Sequence, residues 1–161
     1  MEINVSNVSV RRVGDPDIEE MVTHRLAYLI EMQGNRDESY LKNLKKELID
    51  YFQRNIHSGN FIALIAETEG QILGYGGMVI RHIPGDLNKS SYLEGDILNM
   101  YTLPHARKMG VGALILEHLL SEARTMGMSK VALHTSKDGE KLYRNYGFSE
   151  PVAYPFLELI L

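Results

Sequence analysis

Residues 99–127 read Asn-Met-Tyr-Thr-Leu-Pro-His-Ala-Arg-Lys-Met-Gly-Val-Gly-Ala-Leu-Ile-Leu-Glu-His-Leu-Leu-Ser-Glu-Ala-Arg-Thr-Met-Gly, and this stretch decides the fold. Met100 to Leu103 ends a strand. Pro104 to Val111 is a loop. Gly112 to Met126 is a helix, with Val111, Leu114, Ile115, Leu119, Leu120, Ala123 and Met126 as its apolar stripe, and Gly127 stops it. A helix start carries backbone N–H groups with no partner inside the helix, and the helix dipole makes that end partly positive. Glycines at 110 and 112 let a ligand approach those donors, and Arg107 and Lys108 add full charges. A phosphate or pyrophosphate is the natural guest.

Two common phosphate loops fail here. A P-loop needs Gly-Lys-Ser/Thr, but Gly112 is followed by Ala113 and Leu114. A dinucleotide fingerprint needs a third glycine where Ile115 stands. What remains is Arg-x-x-Gly-x-Gly after a strand, against the plainer alternative of a basic turn capped by glycine.

Outward from this stretch the chain reads as one α/β or α+β unit. Val8 to Val13 is a first strand. Asp15-Pro16 starts a helix with Asp15 as N-cap, and Gly34 ends it. Ser39 caps a second helix with Leu41, Leu44, Leu48, Tyr51 and Phe52 on one face. Phe61 to Glu67 and Gln71 to Arg81 form a hairpin around Thr68-Glu69-Gly70. Gly74, Gly76 and Gly77 point to a bulge or a close backbone approach in the return strand. Tyr92 to Thr102 is the next strand, entering the glycine loop. Lys130 to Thr135 follows the loop helix as a parallel strand through a right-handed crossover. Asp138 or Ser136 caps a short helix, Glu140 to Tyr146, ended by Gly147. Tyr154 to Leu161 alternates and completes the sheet.

The 161 residues are 44% hydrophobic, with a net charge of -4 and no cysteine. That composition supports a globular core and excludes a thiol nucleophile and a cysteine metal site. The histidines have no metal-ligand spacing. His134, at a strand end, is the only one near a cleft. No signal peptide or membrane span is legible, so a cytoplasmic protein is expected, with no membrane and no nucleic-acid partner. Any anionic ligand must be held by local positive groups.

The loop Arg107-Lys-Met-Gly110-Val-Gly112 resembles the pyrophosphate-binding motif of the Gcn5-related N-acetyltransferases. Leu142-Tyr143-Arg144-Asn145-Tyr146-Gly147-Phe148 resembles that family's Leu-Tyr-x-x-x-Gly-Phe, at the right distance and in the right element order. The resemblance implies one domain over residues 1–161: an acyl-CoA N-acyltransferase fold whose mixed, mostly antiparallel central sheet has a splayed parallel pair and about four flanking helices. It implies acetyl-CoA as co-substrate, with no metal. Main-chain groups of Met100, Tyr101 and Thr102 would pair with the pantetheine arm. Arg107, Lys108, Met109, Gly110, Val111, Gly112 and Ala113 would cradle the pyrophosphate. Lys108 stands where many members have glycine, but its N–H remains available. Ser136 stands near the family's asparagine. It would bond the cofactor arm or, more plainly, cap a helix.

Tyr143 is the catalytic choice. A phenol of pKa about 10 is protonated at neutral pH and can donate to a thiolate whose acid has a pKa of about 8.5. The plainer alternative is a core aromatic. Asp96 matches the family's glutamate base, with a shorter reach. Glu94 lies two residues earlier on the same strand face. Both could equally be a solvated strand end. Glu94 and Tyr28 are weak substrate candidates. Tyr40 is another, with core packing the plainer reading for both tyrosines. The implied activity is acetyl transfer to a primary amine, small or peptide, by direct attack in a ternary complex. The alternative is a non-catalytic acyl-CoA sensor or interaction module on the same fold. A homodimer through the C-terminal strand is a family-level expectation.

Overall fold

The computed structural model describes residues 5–151 and 157–161. Its sheet has the order β1-β2-β3-β4-β5, with β1 Ser9–Arg12, β2 Phe61–Thr68, β3 Gln71–Pro84, β4 Ser91–Thr102 and β5 Lys130–Leu133. Every neighbouring pair is antiparallel except β4 and β5. The helices are α1 Ile18–Gln33, α2 Glu38–His57, α3 Val111–Thr125 and α4 Lys137–Asn145.

The continuous apolar run of β2 reflects burial on both faces. Ile62, Leu64 and Ala66 pack with Ile115, Leu116, Leu119 and Ala123 of α3. Phe61, Ala63 and Ile65 pack with Ile18, Met21 and Val22 of α1 and Phe52 of α2. A strand of period two therefore separates two cores. The glycines of β3 let α3 sit close. A Cβ at Gly76 would lie 2.4 Å from Ile115 Cγ2 and 2.8 Å from Met100 Sδ.

Several local expectations are corrected. Asp15 does not cap α1. A short 3-10 turn, Asp15–Asp17, precedes the helix, and the Asp17 carboxylate accepts the Gly14 N–H at 2.8 Å. Asp37, not Ser39, caps α2 by accepting from the Tyr40 N–H at 2.9 Å. The β3 glycines mark both a bulge and a close approach: Ala66 pairs with Gly74 and Glu67 with Ile72, which leaves Leu73 of β3 as an extra residue, and a second bulge has its extra residue on β4. Tyr75 pairs with Tyr101 and Gly77 with Leu98, so three steps on β4 face two on β3. Asn99 takes the left-handed φ of 59° there, which an asparagine tolerates better than most residues. On α3 the stripe includes buried Leu116, whereas Met126 is exposed. β5 stops at Leu133, short of Thr135. α4 begins at Lys137, three residues before Glu140, because Ser136 is the cap, accepting from the Gly139 N–H at 3.3 Å. Of the expected last strand, Tyr154 to Phe156 lie outside the described residues. Leu157 to Leu161 form no strand, and Leu157, Leu159, Ile160 and Leu161 are exposed.

Two features position the site. β5 pairs with β4 only from Glu94 to Ile97, so β4 runs on from Leu98 with an open edge beside it. The bulge at Asn99 then returns Tyr101 to the α1 face, where its ring lies 5.1 Å from that of Tyr28.

Candidate active site

Gly110 precedes α3 with a left-handed φ of 85°, and Lys108 is left-handed as well, with φ 61°. These turns swing the chain from β4 into α3 without consuming its donors. Among the described residues, the N–H groups from Lys108 to Ala113 enter no hydrogen bond, and the first helical bond is Leu114 N–H to Gly110 O at 3.0 Å. A Cβ at Gly112 would meet nothing closer than Thr102 Oγ1 at 3.6 Å and Leu142 Cδ2 at 3.8 Å. Protein packing therefore does not require glycine at 112. A cradle of free N–H groups with the side chain omitted fits an anionic ligand such as the pyrophosphate of a coenzyme A thioester.

Arg107 serves the loop differently from Lys108. Its guanidinium forms a two-pronged pair with Glu31 of α1, at 2.8 and 2.7 Å, and its Nε donates to Thr102 O at 3.2 Å. It also lies 5.7 Å from the Tyr101 ring centroid. The hydrogen bond from Arg107 holds the Glu31 carboxyl below its usual range. Arg107 thus ties the glycine loop to α1, and Lys108 is the loop cation with no ion pair among the described residues.

Tyr143 projects from α4 and is only 9% exposed. The motif around it has a structural reason. Gly147 is left-handed at φ 91°, which lets the Phe148 N–H donate to Tyr143 O at 3.1 Å. The Phe148 ring then meets the Tyr143 ring edge-on at 5.9 Å. This helix end locks the tyrosine from both backbone and ring. Burial, and then the Tyr28 phenol, push the Tyr143 hydroxyl above its ordinary pKa. Tyr28 stands on α1 and Tyr143 on α4. Leu142, next to Tyr143, lies beside Gly112, and the two sequence motifs meet there.

Asp96 and Glu94 do share one face of β4, and Arg81 holds both. Arg81 Nε is 2.9 Å from Asp96 Oδ2, its Nη2 is 2.9 Å from Glu94 Oε2, and Lys130 Nζ adds a contact to Glu94 at 3.3 Å. The local charge is therefore largely balanced. Ser136 Oγ is engaged as the α4 cap. Tyr28 lies against Tyr101. Tyr40 is exposed, and so is His134. The sequence reading missed Arg81, Glu31, Arg25 and Asn99. Only the Arg81–Glu94 pairing across a hairpin had a sequence signal, as opposite charges on neighbouring strands.

The acetyltransferase (GNAT) family model matches residues 26–148. The chain belongs to this family. A solved predicted acetyltransferase with acetyl-CoA from Clostridium acetobutylicum is 28% identical, covers 94% of this chain and 96% of its own, and superposes with a TM-score of 0.78. A GCN5-related N-acetyltransferase from Ralstonia eutropha JMP134 is 23% identical over 94% of this chain and 98% of its own, with a TM-score of 0.74. An uncharacterized N-acetyltransferase of Archaeoglobus fulgidus is 23% identical, covering 86% of this chain and 89% of its own. The GNAT fold and its splayed strand pair are thus established for this chain. Among the described residues no helix is long and apolar enough to cross a membrane, and no histidine or carboxylate cluster could hold a metal ion.

Proposed function

We propose that this GNAT protein transfers the acetyl group of acetyl-CoA to a primary amine in a ternary complex. The observation that carries this is the run of free N–H groups from Lys108 to Ala113 at the start of α3, next to the open edge of β4 and beside Leu142, the chain neighbour of Tyr143. Lys108 to Ala113 hold the pyrophosphate, assisted by the α3 dipole. The backbone of Met100 to Thr102 pairs with the pantetheine arm as an added strand, because β5 leaves that edge free. Bound acetyl-CoA supplies an activated thioester. As the amine nitrogen bonds to the acetyl carbon, the C–S bond breaks and the sulfur takes the Tyr143 proton. Burial raises the Tyr143 pKa, which keeps that proton in place at neutral pH. Arg81 occupies Asp96 Oδ2, so Asp96 acts through a water on Oδ1 to receive the amine's proton, with Glu94 behind it.

The test is release of free thiol from acetyl-CoA in the presence of an amine panel. Wild-type protein should release thiol only with an accepted amine. Tyr143→Phe should lower kcat by about 10²-fold or more, as loss of a general acid does, while binding acetyl-CoA as before. Equal turnover by the variant would remove Tyr143 from the chemistry. Tight acetyl-CoA binding without turnover on any amine would favour a sensor role.

A further inference from the structure

Arg25, Tyr28 and Glu31 stand three apart along α1, each beside the last on the helix surface. They meet the end of β4 and the glycine loop. Tyr28 packs on Tyr101, with ring centroids 5.1 Å apart. Glu31 takes both arms of the Arg107 guanidinium, at 2.8 and 2.7 Å. Arg25 and Asn99 line one small cleft, but Arg25 Nε and Asn99 Oδ1 are buried there without a hydrogen-bond partner among the described residues. Among the described residues, the side-chain hydrogen bonds along this seam are therefore those of Glu31 with Arg107.

α1 is anchored at its other end. Its buried residues are Ile18, Met21 and Val22, and Leu26 is the last of its residues to pack against that core. Glu31 lies in the last turn, where the helix dipole opposes a carboxylate. Both partners of the pair are exposed, and an exposed ion pair adds little stability. What the pair supplies is position. Arg107 directs Nη1 and Nη2 at Glu31 and Nε at Thr102 O, and it is the chain neighbour of Lys108, where the cradle begins. A bound anion that fixes the loop fixes Arg107, and Glu31 carries that constraint to α1. The carboxylate assigned to the amine's proton lies on this same side. Asp96 pairs with Val79 of β3, Val79 packs against the core under α1 and α2, and directly opposed residues share a sheet face.

Resting on the acetyltransferase reading above, we propose that Glu31 is a positioning residue. Through Arg107 it couples the cofactor cradle to the acceptor side of the sheet, so that bound acetyl-CoA holds Tyr28 and the end of α1 in place for the amine. Arg107 is the joint of this coupling and not a phosphate ligand. The coupling is reciprocal: the amine tightens acetyl-CoA by the factor by which acetyl-CoA tightens the amine.

Two measurements on the full chain test this, with wild type, Glu31→Gln, Arg107→Gln and the double variant. Both positions are exposed, so the variants should fold. The first measurement needs no turnover. Amide hydrogen exchange is followed with and without saturating acetyl-CoA. In wild type, acetyl-CoA should slow exchange over residues 28–34 by about 5-fold or more, the low end of typical coupling. Each single variant should bind acetyl-CoA yet lose that slowing, and the double variant should match the singles, because the two residues act as one unit. The second measurement uses an accepted amine. Glu31→Gln should raise its KM by about 5-fold or more and leave kcat near that of wild type. Equal exchange with and without acetyl-CoA in wild type, the result for a pair that only braces the fold, overturns the inference. So does slowing that survives Glu31→Gln, or an unchanged amine KM. A loss of acetyl-CoA affinity of about tenfold or more in Arg107→Gln but not in Glu31→Gln also overturns it, because Arg107 would then be a phosphate ligand. Failure of wild type to bind acetyl-CoA is a separate result, which removes the acetyltransferase reading and this inference with it.

Discussion

Tyr143 is a core residue that the proposed reaction also uses as its acid. Its ring packs edge-on against Phe148. Burial favours the neutral phenol, so its folded pKa lies above the ordinary 10.0, and Tyr75 is shifted in the same direction, first by burial. Two pH dependences follow, with the sign set by these upward shifts. As a proton donor, Tyr143 remains competent through about pH 10, so kcat should show no alkaline fall below about pH 10. In stability, the unfolded chain ionises its phenols near pH 10 while the folded chain keeps them protonated. The contribution of Tyr143 and Tyr75 is complete below about pH 10 and is lost as pH rises through their folded values. Urea midpoints measured from pH 8 to 11 should be flat with respect to these groups up to about pH 10 and then fall, and Tyr75→Phe should flatten the fall. At this scale the sequence was legible where a motif has a local cause. The glycine of Gly147-Phe148 and the free N–H groups around Gly112 can be read from short spacing. Arg25, Glu31 and Arg81 could not, because their importance comes from partners, or the lack of them, on distant segments.

Among the elements, the glycine-rich β3 and the loop helix α3 depend on each other. Gly76 allows α3 to approach until Ile115 and Met100 would contact a Cβ. Gly76→Ala should therefore overpack this interface and cost about 1–3 kcal/mol, read as a lower urea midpoint with an unchanged slope. An unchanged midpoint would mean that α3 yields without cost. The bulge was only half legible. Three glycines in β3 announced an irregularity, and β3 has one at Leu73, beside Gly74; the second, with its extra residue Asn99 on β4, was not legible, since register is decided between strands and not within one. The caps of α1 and α2 were misplaced by two residues for a similar reason. Asp15, Asp17, Asp37 and Ser39 are all competent cap residues, and tertiary packing chooses among them. The hairpin β2–β3 and the crossover β4–α3–β5 were legible because hydrophobic period and turn chemistry agree there.

For the whole molecule, the sheet separates two jobs. α3 and α4 stand on one face with the glycine cradle and Tyr143. α1 and α2 stand on the other with Tyr28 and Arg25. The gap between β4 and β5 joins them, and the Arg107–Glu31 pair links the loop to α1 across that gap. On the acetyl transfer proposed above, the thioester would lie on one side of the sheet and the amine on the other. The central claim is that the cradle from Lys108 to Ala113 binds the pyrophosphate of acetyl-CoA. The most direct test is calorimetric titration of acetyl-CoA into wild type and Gly112→Glu. The surrounding atoms leave ordinary van der Waals room for a Cβ at this position, so the variant should fold while its carboxylate occupies the phosphate site. Saturable binding by wild type and at least a hundredfold weaker binding by Gly112→Glu is the predicted result. No binding by folded wild type, or equal binding by both, would contradict it and leave the glycine loop as a turn that serves the fold alone.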